Sequence, residues 1–501
     1  MASLIASQAG QAPARVALVS DSVSRTYAEL DDRSRRLASV LSTLGAGPGS
    51  RVAVLSENRV EYLELVLAAA RIGAVVACQN WRLTAGEIAE CATLVEPAVG
   101  FVSPAHADKQ AALGLPDERL IRFGPSYESS LAEHAPLAGD ADVAPEAPLL
   151  LLYTSGTTGR PKAAVISHRA QIARNLVTRT EFGVAPDDAF LAWSPLYHMG
   201  AMDNALGTLM CGGKVIVHDG FDPDRLARCV AEERLGWLLL MPGMVGRFVA
   251  ALRQNAVQPK GVRVCGVMAD LVPRREIAEV TRLLSAPYAN TFGATETGCP
   301  PCSSSLIPVG VVPERLSKQQ SPFCEVKLVD ADDREVSPGQ PGELCMRGPT
   351  LFSGYYRDDA VNAVDFRGGW FHMGDVFVRN PDGTLDFVDR VKYLIKSGGE
   401  NIYPAEIESV LLRHPEVLEA AVVRRADERW GEVPVAFVAL KDQSSTAAVD
   451  IKSELEAYCR AQLARYKQPK AIELLAFTEF PRSASGKVQR HELEKKLELY
   501  A

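Results

Sequence analysis

Short apolar runs that alternate with helical stretches constrain this chain more than any other feature of its sequence. The stretch "TYAELDDRSRRLASVLSTLGAG" opens with Thr26 and Glu29 at capping-box spacing, carries Leu30, Leu37, Leu41 and Leu44 on one helical face, and stops at Gly45. It is followed by "RVAVLS", a helical stretch from about Val60 to Ala70, and "GAVVACQN"; farther on come "APLLLLYT", "KVIVHD", "WLLLMP" and "RVCGVMA". Strands regularly separated by helices predict an α/β fold with a mainly parallel sheet. Residues 104–147, rich in Ala, Pro, Asp and Glu, are expected to form a surface connection. The chain of 501 residues exceeds what one core supports, roughly 250 to 300 residues, so more than one lobe is expected. Near residue 390 the character changes to two strand-like runs, "LEAAVVRR" and "VPVAFVAL", and a charged helix from about Val449 to Leu463. That tail has the size and pattern of a small α+β domain. The boundary is expected between Asp389 and Lys392, which divides the chain into 1–390 and 391–501.

Several function classes are disfavoured by composition. With 47% hydrophobic and 23% charged residues, the chain has enough apolar side chain for a large core. A formal charge of -8 gives no reason to expect nucleic acid or an anionic membrane as partner. The start "MASLIASQAGQAPARVALVS" has neither a basic opening nor an apolar stretch of signal-peptide length, and Arg71 interrupts the longest apolar region. No membrane span and a cytoplasmic location are expected. The ten cysteines are scattered singly except Cys299 and Cys302 in "GCPPC", and no second pair or histidine cluster stands at ligand spacing. They are expected to be reduced thiols, with "GCPPC" an ordinary loop.

Chemistry concentrates in "YTSGTTGRPKAA", residues 153–164. The spacing differs from that of a P-loop, yet a strand running into Thr154, Ser155, Gly156, Thr157, Thr158 and Gly159, with Lys162 beyond, offers hydroxyls and open backbone N–H groups to polyphosphate oxygens. Alone, such a loop is as often only a turn. Its companions are "SPLYHMG", "TFGATETG", "GELCMRGPTLFSGYY", "GWFHMGD", "DRVKYLIKSGGENIYPAEIE" and "PRSASGKVQR". In order and spacing these resemble the adenylate-forming superfamily of acyl-CoA synthetases, peptide-synthetase adenylation domains and luciferases, over nearly the whole chain.

The resemblance implies a large multi-sheet α/β domain that binds ATP and acyl group, followed by a small mobile α+β domain. It implies ATP, Mg2+ and coenzyme A as cofactors, and a carboxylic acid that becomes an acyl-adenylate and then a thioester. On this resemblance the residues from Thr154 to Gly159, with Lys162, cradle the β and γ phosphates; Thr295 contacts the α-phosphate and Glu296 holds Mg2+. Asp375 and Arg390 meet the ribose, and the ring of Phe292 stacks on adenine where relatives usually have Tyr. Lys487 stabilises the charge that builds as the carboxylate attacks. Lys392 is the implied hinge, Gly398 and Gly399 line the pantetheine path, and Trp430 and Tyr466 are candidate stacking surfaces for the CoA adenine.

For the acyl pocket the resemblance indicates His198 as a gate, with Met199, Gly200, Met268, Ala269, Asp270, Gly293 and Gly298. Relatives often carry a glycine pair where this chain has Met268 and Ala269, and a methionine projecting into the pocket would shorten or narrow it. A medium-sized or aromatic acid is therefore favoured over a very long fatty acid. Ala163, replacing a usual glycine, bears only on loop flexibility. Two alternatives stand beside the CoA ligase: an enzyme that loads a carrier protein, and a nucleotide-binding protein without catalysis. Thr295, Glu296, Asp375, Arg390 and Lys487 together argue against the last, since mere binding has no need of the mobile lysine. A homodimer is compatible with all three.

Overall fold

The computed structural model describes residues 1–155, 161–397, 400–441, 448–482 and 488–499. The chain forms two compact units, Met1–Val326 with Met346–Phe371, and Lys327–Cys345 with His372–Ala501. The expected border at 390 and the expected hinge, Lys392, both fall within the second unit.

The first unit is α/β, built on three main sheets. The largest runs in the order Leu120–Arg122, Val99–Val102, Arg51–Leu55, Val75–Gln79, Pro148–Ser155, Pro161–Ser167. All its pairings are parallel except the last, which is a hairpin. A second sheet orders Ser24–Thr26, Val16–Val19, Val215–Val217 and Phe190–Ala192; a third orders Leu235–Leu238, Val262–Cys265, Tyr288–Ala289 and Leu306–Ile307.

Local sequence accounts for these elements. Thr26 caps the helix Tyr27–Thr43: its hydroxyl accepts from the Glu29 N–H at 3.2 Å, while the Glu29 carboxylate accepts from the Thr26 N–H at 2.7 Å. Leu30, Leu37 and Leu41 are buried along one face, and the chain leaves the helix at Gly45 with φ +81°. The next helix, Val60–Ile72, is apolar nearly all round and correspondingly buried on nearly every side. Its one wholly buried cation, Arg71, is held by Asp140 at 2.9 Å and by Asp31, as a charge removed from water must be. Among the described residues no helix is long and apolar enough to cross a membrane.

Two stretches depart from expectation. The segment 104–147 contributes the strand Leu120–Arg122 at the edge of the largest sheet and the helix Pro125–Glu133, so it is more than a connection. "GCPPC" forms the strand Gly298–Cys302, paired antiparallel with Phe292–Ala294. Proline removes a ladder donor, and a two-stranded ribbon tolerates this where a central strand would not.

The second unit contains a four-stranded sheet in the order Glu325–Val329, Pro341–Arg347, Phe371–Arg379, Leu385–Arg390, apart from strand ends that belong to the first unit. Its other sheet centres on an antiparallel pair, Val417–Asp427 with Gly431–Leu440, flanked by Ala471–Leu474, Ile395–Ser397 and Glu400–Ile402. Alternation along this pair divides the core. Ala420 and Val422 pack with Ile407, Leu411 and Leu455 on one face, whereas Ala421 and Val423 pack with Phe480, Leu493 and Leu497 on the other. Hence "LEAAVVRR" is apolar on both faces: helices cover both.

Candidate active site

The strand Pro148–Ser155 and its hairpin partner place Thr154 opposite Lys162, with Tyr153 opposite Ala163. Gly156, Thr157, Thr158 and Gly159 lie outside the described residues, as does the side chain of Ser155. The far edge of this hairpin carries a further segment. Ser353 donates to the Val165 carbonyl at 2.8 Å, Val165 to Gly354 at 3.0 Å, and Tyr356 to Ala163 at 2.8 Å. This docking sets the Tyr355 ring beneath Lys162, with Nζ 4.7 Å from the ring centroid.

Tyr355 also joins the hairpin to the "TFGATETG" segment. Its hydroxyl donates to Glu296 Oε1 at 2.8 Å, and the Phe352 N–H donates to the Glu296 carbonyl at 2.8 Å. Glu296 and Thr295 are half-buried in the turn between the two strands, where the Thr297 N–H donates to Ala294 at 3.0 Å. Phe292 is buried at the start of that ribbon. Behind the turn lies Arg174, fully buried, donating to the carbonyls of Thr295 and Thr350, each at 2.9 Å, and pairing with Asp203 at 3.5 Å. Burial pushes the Arg174 guanidinium down from its ordinary range, against Asp203 and Glu296; burial likewise raises the Asp203 carboxyl, against Arg174.

The two glycines assigned to the pocket have backbone reasons to be glycine. A Cβ on Gly293 would lie 2.0 Å from the Gly298 carbonyl oxygen, and one on Gly298, at φ +77°, would lie 2.8 Å from the Arg174 side chain. Met268 takes the left-handed conformation, φ +48°, with Ala269 buried behind it. Asp270 is tied to the buried Lys318 at 2.7 Å, and Lys318 also donates to Asn290 at 2.7 Å.

His198 is exposed at the N-terminus of the helix Met199–Met210, its Nδ1 accepting from the Gly200 N–H at 3.2 Å; Met199 and Gly200 form the first turn. The loop before it is held by Asn58. That amide donates to the carbonyls of Ala192, Ser194 and His218 at 2.7–3.0 Å and accepts from the Leu196 N–H at 2.7 Å. One buried side chain thus satisfies four backbone groups of two loops.

In the second unit Asp375 and Arg390 are cross-strand partners, with Arg390 Nε 3.0 Å from Asp375 Oδ1. Asp375 is buried, whereas the Arg390 side chain is 41% exposed, so the pair presents its cationic side to solvent. Lys392 lies in the turn after this strand, its carbonyl accepting from Arg424 at 3.3 Å. Next to it Asp389, buried, accepts from the N–H groups of Arg390 and Ala405, each at 2.7 Å, and pairs with Arg490 at 3.5 Å, while Arg490 also pairs with Glu408 at 2.7 Å. Trp430 and Tyr466 are exposed, with the Arg429 guanidinium 4.8 Å from the Trp430 ring centroid and Lys467 Nζ 5.5 Å from that of Tyr466. Gly398, Gly399 and Lys487 lie outside the described residues.

Sequence reasoning missed Tyr355, Arg174, Asn58, Lys318 and the Asp389–Arg490–Glu408 cluster. "GPTLFSGYY" was a signal for Tyr355; for the others, partners distant in sequence left none.

Residues 5–356 match the family model for the AMP-binding enzyme, and residues 406–487 the one for the AMP-binding enzyme C-terminal domain. The chain is 35% identical to the indoleacetate–CoA ligase of Aromatoleum aromaticum, covering 97% of this chain and 96% of the relative. It is 36% identical to a feruloyl-CoA synthase of an Amycolatopsis species, covering 94% of each. Among solved structures, the o-succinylbenzoate CoA synthetase from Bacillus subtilis with its acyl-adenylate intermediate superposes with a TM-score of 0.85 at 27% identity, covering 98% of this chain and 97% of that one. The same enzyme with ATP and magnesium ion gives 0.82 at 26% identity, covering 98% of each.

Proposed function

The chain belongs to the AMP-binding enzyme family, as an ATP-dependent, AMP-forming ligase of a carboxylic acid to coenzyme A, and from that premise we propose that its substrate is an aromatic acid of medium size. The observation that carries this is the pair of relatives named for indoleacetate and ferulate, both aromatic acids, each aligned over more than nine-tenths of this chain. Met268, half-buried and in a left-handed conformation beside buried Ala269, is assigned to the wall of the acyl pocket, where its bulk would exclude an extended alkyl chain.

In the first half-reaction the acid's carboxylate oxygen attacks the α-phosphorus of ATP, and the bond from that phosphorus to pyrophosphate breaks. In the second, the CoA sulfur attacks the acyl carbon, its proton passes to solvent, and AMP departs with the electrons of the broken C–O bond. We assign phosphate binding to the loop from Thr154 to Gly159 with Lys162, which the Tyr355 ring holds in place. Glu296 suits Mg2+, because its carboxylate is half-buried, oxygen-only and oriented by the Tyr355 hydroxyl. Mg2+, when bound, supplies charge neutralisation at the phosphates. Arg174 fixes the Thr295 carbonyl and so keeps the Thr295–Glu296 turn in one conformation. Asp375 is assigned to the ribose hydroxyls, with Arg390 holding its carboxylate in orientation. Lys487 is assigned to the charge developing in the adenylation transition state, Lys392 to the hinge between the two half-reactions, and Gly398, Gly399, Trp430 and Tyr466 to CoA. The cytoplasm, where ATP and CoA are available, is the proposed compartment.

The test is pyrophosphate release and thioester formation over arylacetates, phenylpropenoates, benzoates and alkanoates of increasing length. Highest kcat/KM is expected for an aryl acid, with free CoA as acceptor. An alkanoate outperforming every aryl acid refutes the substrate assignment.

A further inference from the structure

We propose that Asp203, with Gln171 and Thr350, forms a polar end to the acyl pocket that receives a ring hydroxyl or ring N–H of the acid, so that the substrate is an aryl acid carrying a neutral hydrogen-bond donor. This rests on the aryl-acid reading of that pocket and adds what the ring must carry. Asp203 stands four residues beyond Met199 on the helix Met199–Met210, and therefore on the same face. The chain passes from exposed His198, through half-buried Met199 and Gly200, to an Asp203 that is 7% exposed. At about 1.5 Å of rise per residue, Asp203 is about 7.5 Å along the helix from His198. Its partner Arg174 also backs Gly298, another residue assigned to the pocket, where a Cβ would lie 2.8 Å from the Arg174 side chain.

Internal bonding leaves this carboxylate half used. Arg174 directs Nε and Nη2 to the carbonyls of Thr350 and Thr295, each at 2.9 Å, and reaches Asp203 Oδ2 with Nη1 at only 3.5 Å. That is far from the close, two-pronged contact by which an arginine saturates a carboxylate. Asp203 Oδ1 is buried and accepts no hydrogen bond. Gln171, one turn before Arg174 and wholly buried, lies beside the carboxylate but outside hydrogen-bond geometry, and its amide oxygen and nitrogen are both unbonded. The Thr350 hydroxyl, on the residue whose carbonyl Arg174 holds, is buried and unbonded as well. Three side chains with unbonded polar atoms thus gather around one guanidinium, although such atoms are costly to bury. Burial raises the Asp203 carboxyl, against Arg174 and then Gln171, and a donor brought by the ligand offsets that burial. The kind of group is set by the acceptor: a carboxylate oxygen has only lone pairs to offer, while the amide and the hydroxyl can serve the lone pairs of a ring oxygen. An ammonium would stand cation against cation beside Arg174, so a neutral O–H or N–H fits. A methylated oxygen or nitrogen would cover Oδ1 and give it nothing.

The test gives the full-length protein matched acids and reads kcat/KM for pyrophosphate release: hydroxyphenyl acids beside their methyl ethers and unsubstituted parents, and an indolyl acid beside its N-methyl form. In the wild type the best donor-bearing acid should lead its methylated and unsubstituted counterparts at least tenfold. In Asp203→Asn the lead should vanish, because Arg174 claims the amide oxygen and leaves the amide nitrogen, itself a donor, towards the ligand. The ratio is taken within one protein, so a general loss of activity cancels from it. Equal use of donor and methylated acids by a wild type that still prefers aryl acids to alkanoates overturns this proposal alone, whereas a preference for alkanoates removes the reading on which it rests. An Asp203→Asn protein that keeps the full lead also overturns it. Should that variant not fold, Gln171→Leu decides, since its amide has no internal hydrogen bond to lose: the lead should narrow at least threefold, and an unchanged lead refutes the assignment.

Discussion

Tyr355→Phe removes one atom from the proposed ATP site and little else. The ring remains, so the Lys162 contact at 4.7 Å survives, as does the docking of residues 353–356 on the hairpin, which is made by backbone groups. What is lost is the hydroxyl that donates to Glu296 Oε1 at 2.8 Å. A hydrogen bond to a charged partner contributes about 1.5–3 kcal/mol. Glu296 is only half-buried and water can replace part of the loss, so the lower end of that range applies. If the bond tightens as phosphate charge redistributes in the adenylation transition state, about 1.4 kcal/mol corresponds to a tenfold slower step. The assay separates the half-reactions: single-turnover pyrophosphate release from ATP and acid, and thioester formation from supplied acyl-adenylate and CoA. Pyrophosphate release should fall about tenfold with a raised Mg2+ requirement, while thioester formation stays within about twofold. Equal loss in both, or no loss in either, refutes the role given to the Tyr355–Glu296 bond.

Lys487→Ala should reduce adenylate formation by about a hundredfold or more and leave transfer from supplied acyl-adenylate nearly intact, because an electrostatic group aimed at a developing charge serves only the step in which that charge develops; parallel loss in both steps would remove it from that role. Met268→Gly should relieve a left-handed methionine, worth about 1–2 kcal/mol of backbone strain, and widen the acyl pocket; kcat/KM for acids too bulky for the wild type should rise about tenfold, and an unchanged acid profile would show that Met268 is not in the pocket wall. His168 gives a pH dependence. Its burial first, and the Met1 amino group 3.3 Å away second, push its pKa from 6.5 down to about 4. The folded state therefore binds fewer protons than the unfolded one in this window, and the stability fully present above pH 6.5 is lost as pH falls towards 4. At about 1.4 kcal/mol per unit this is up to about 3 kcal/mol. Denaturant titrations from pH 7 to 4 should show His168→Gln losing less stability than the wild type; identical slopes would exclude His168 as a source of acid sensitivity.

The elements visible in the sequence are those whose cause is local. The Thr26–Glu29 capping box, the apolar run Arg51–Leu55 and the alternation of "LEAAVVRR" each fix their structure within a few residues. The strand Leu120–Arg122 was not visible, because three residues are too few to show a period and its identity comes from pairing with Val99–Val102. "GCPPC" was misread for the opposite reason: local proline chemistry argues against a strand, and only the partner Phe292–Ala294 makes one. The site divides in the same way. Motif order marks Lys162, the Thr295–Glu296 turn and the loop before His198 as parts of the proposed site, but what holds the last two lies far along the chain: Tyr355 reaches Glu296 across 59 positions, Arg174 reaches Thr295 across 121, and Asn58 reaches Leu196 across 138. The thiol–imidazole pair follows this logic to its end. Cys345 and His372 stand 27 positions apart, and they meet because neighbouring strands of a sheet bring their side chains together. A sequence thus displays the groups that do chemistry more readily than the groups that aim them, since the first are chosen for what they are and the second for where the fold puts them.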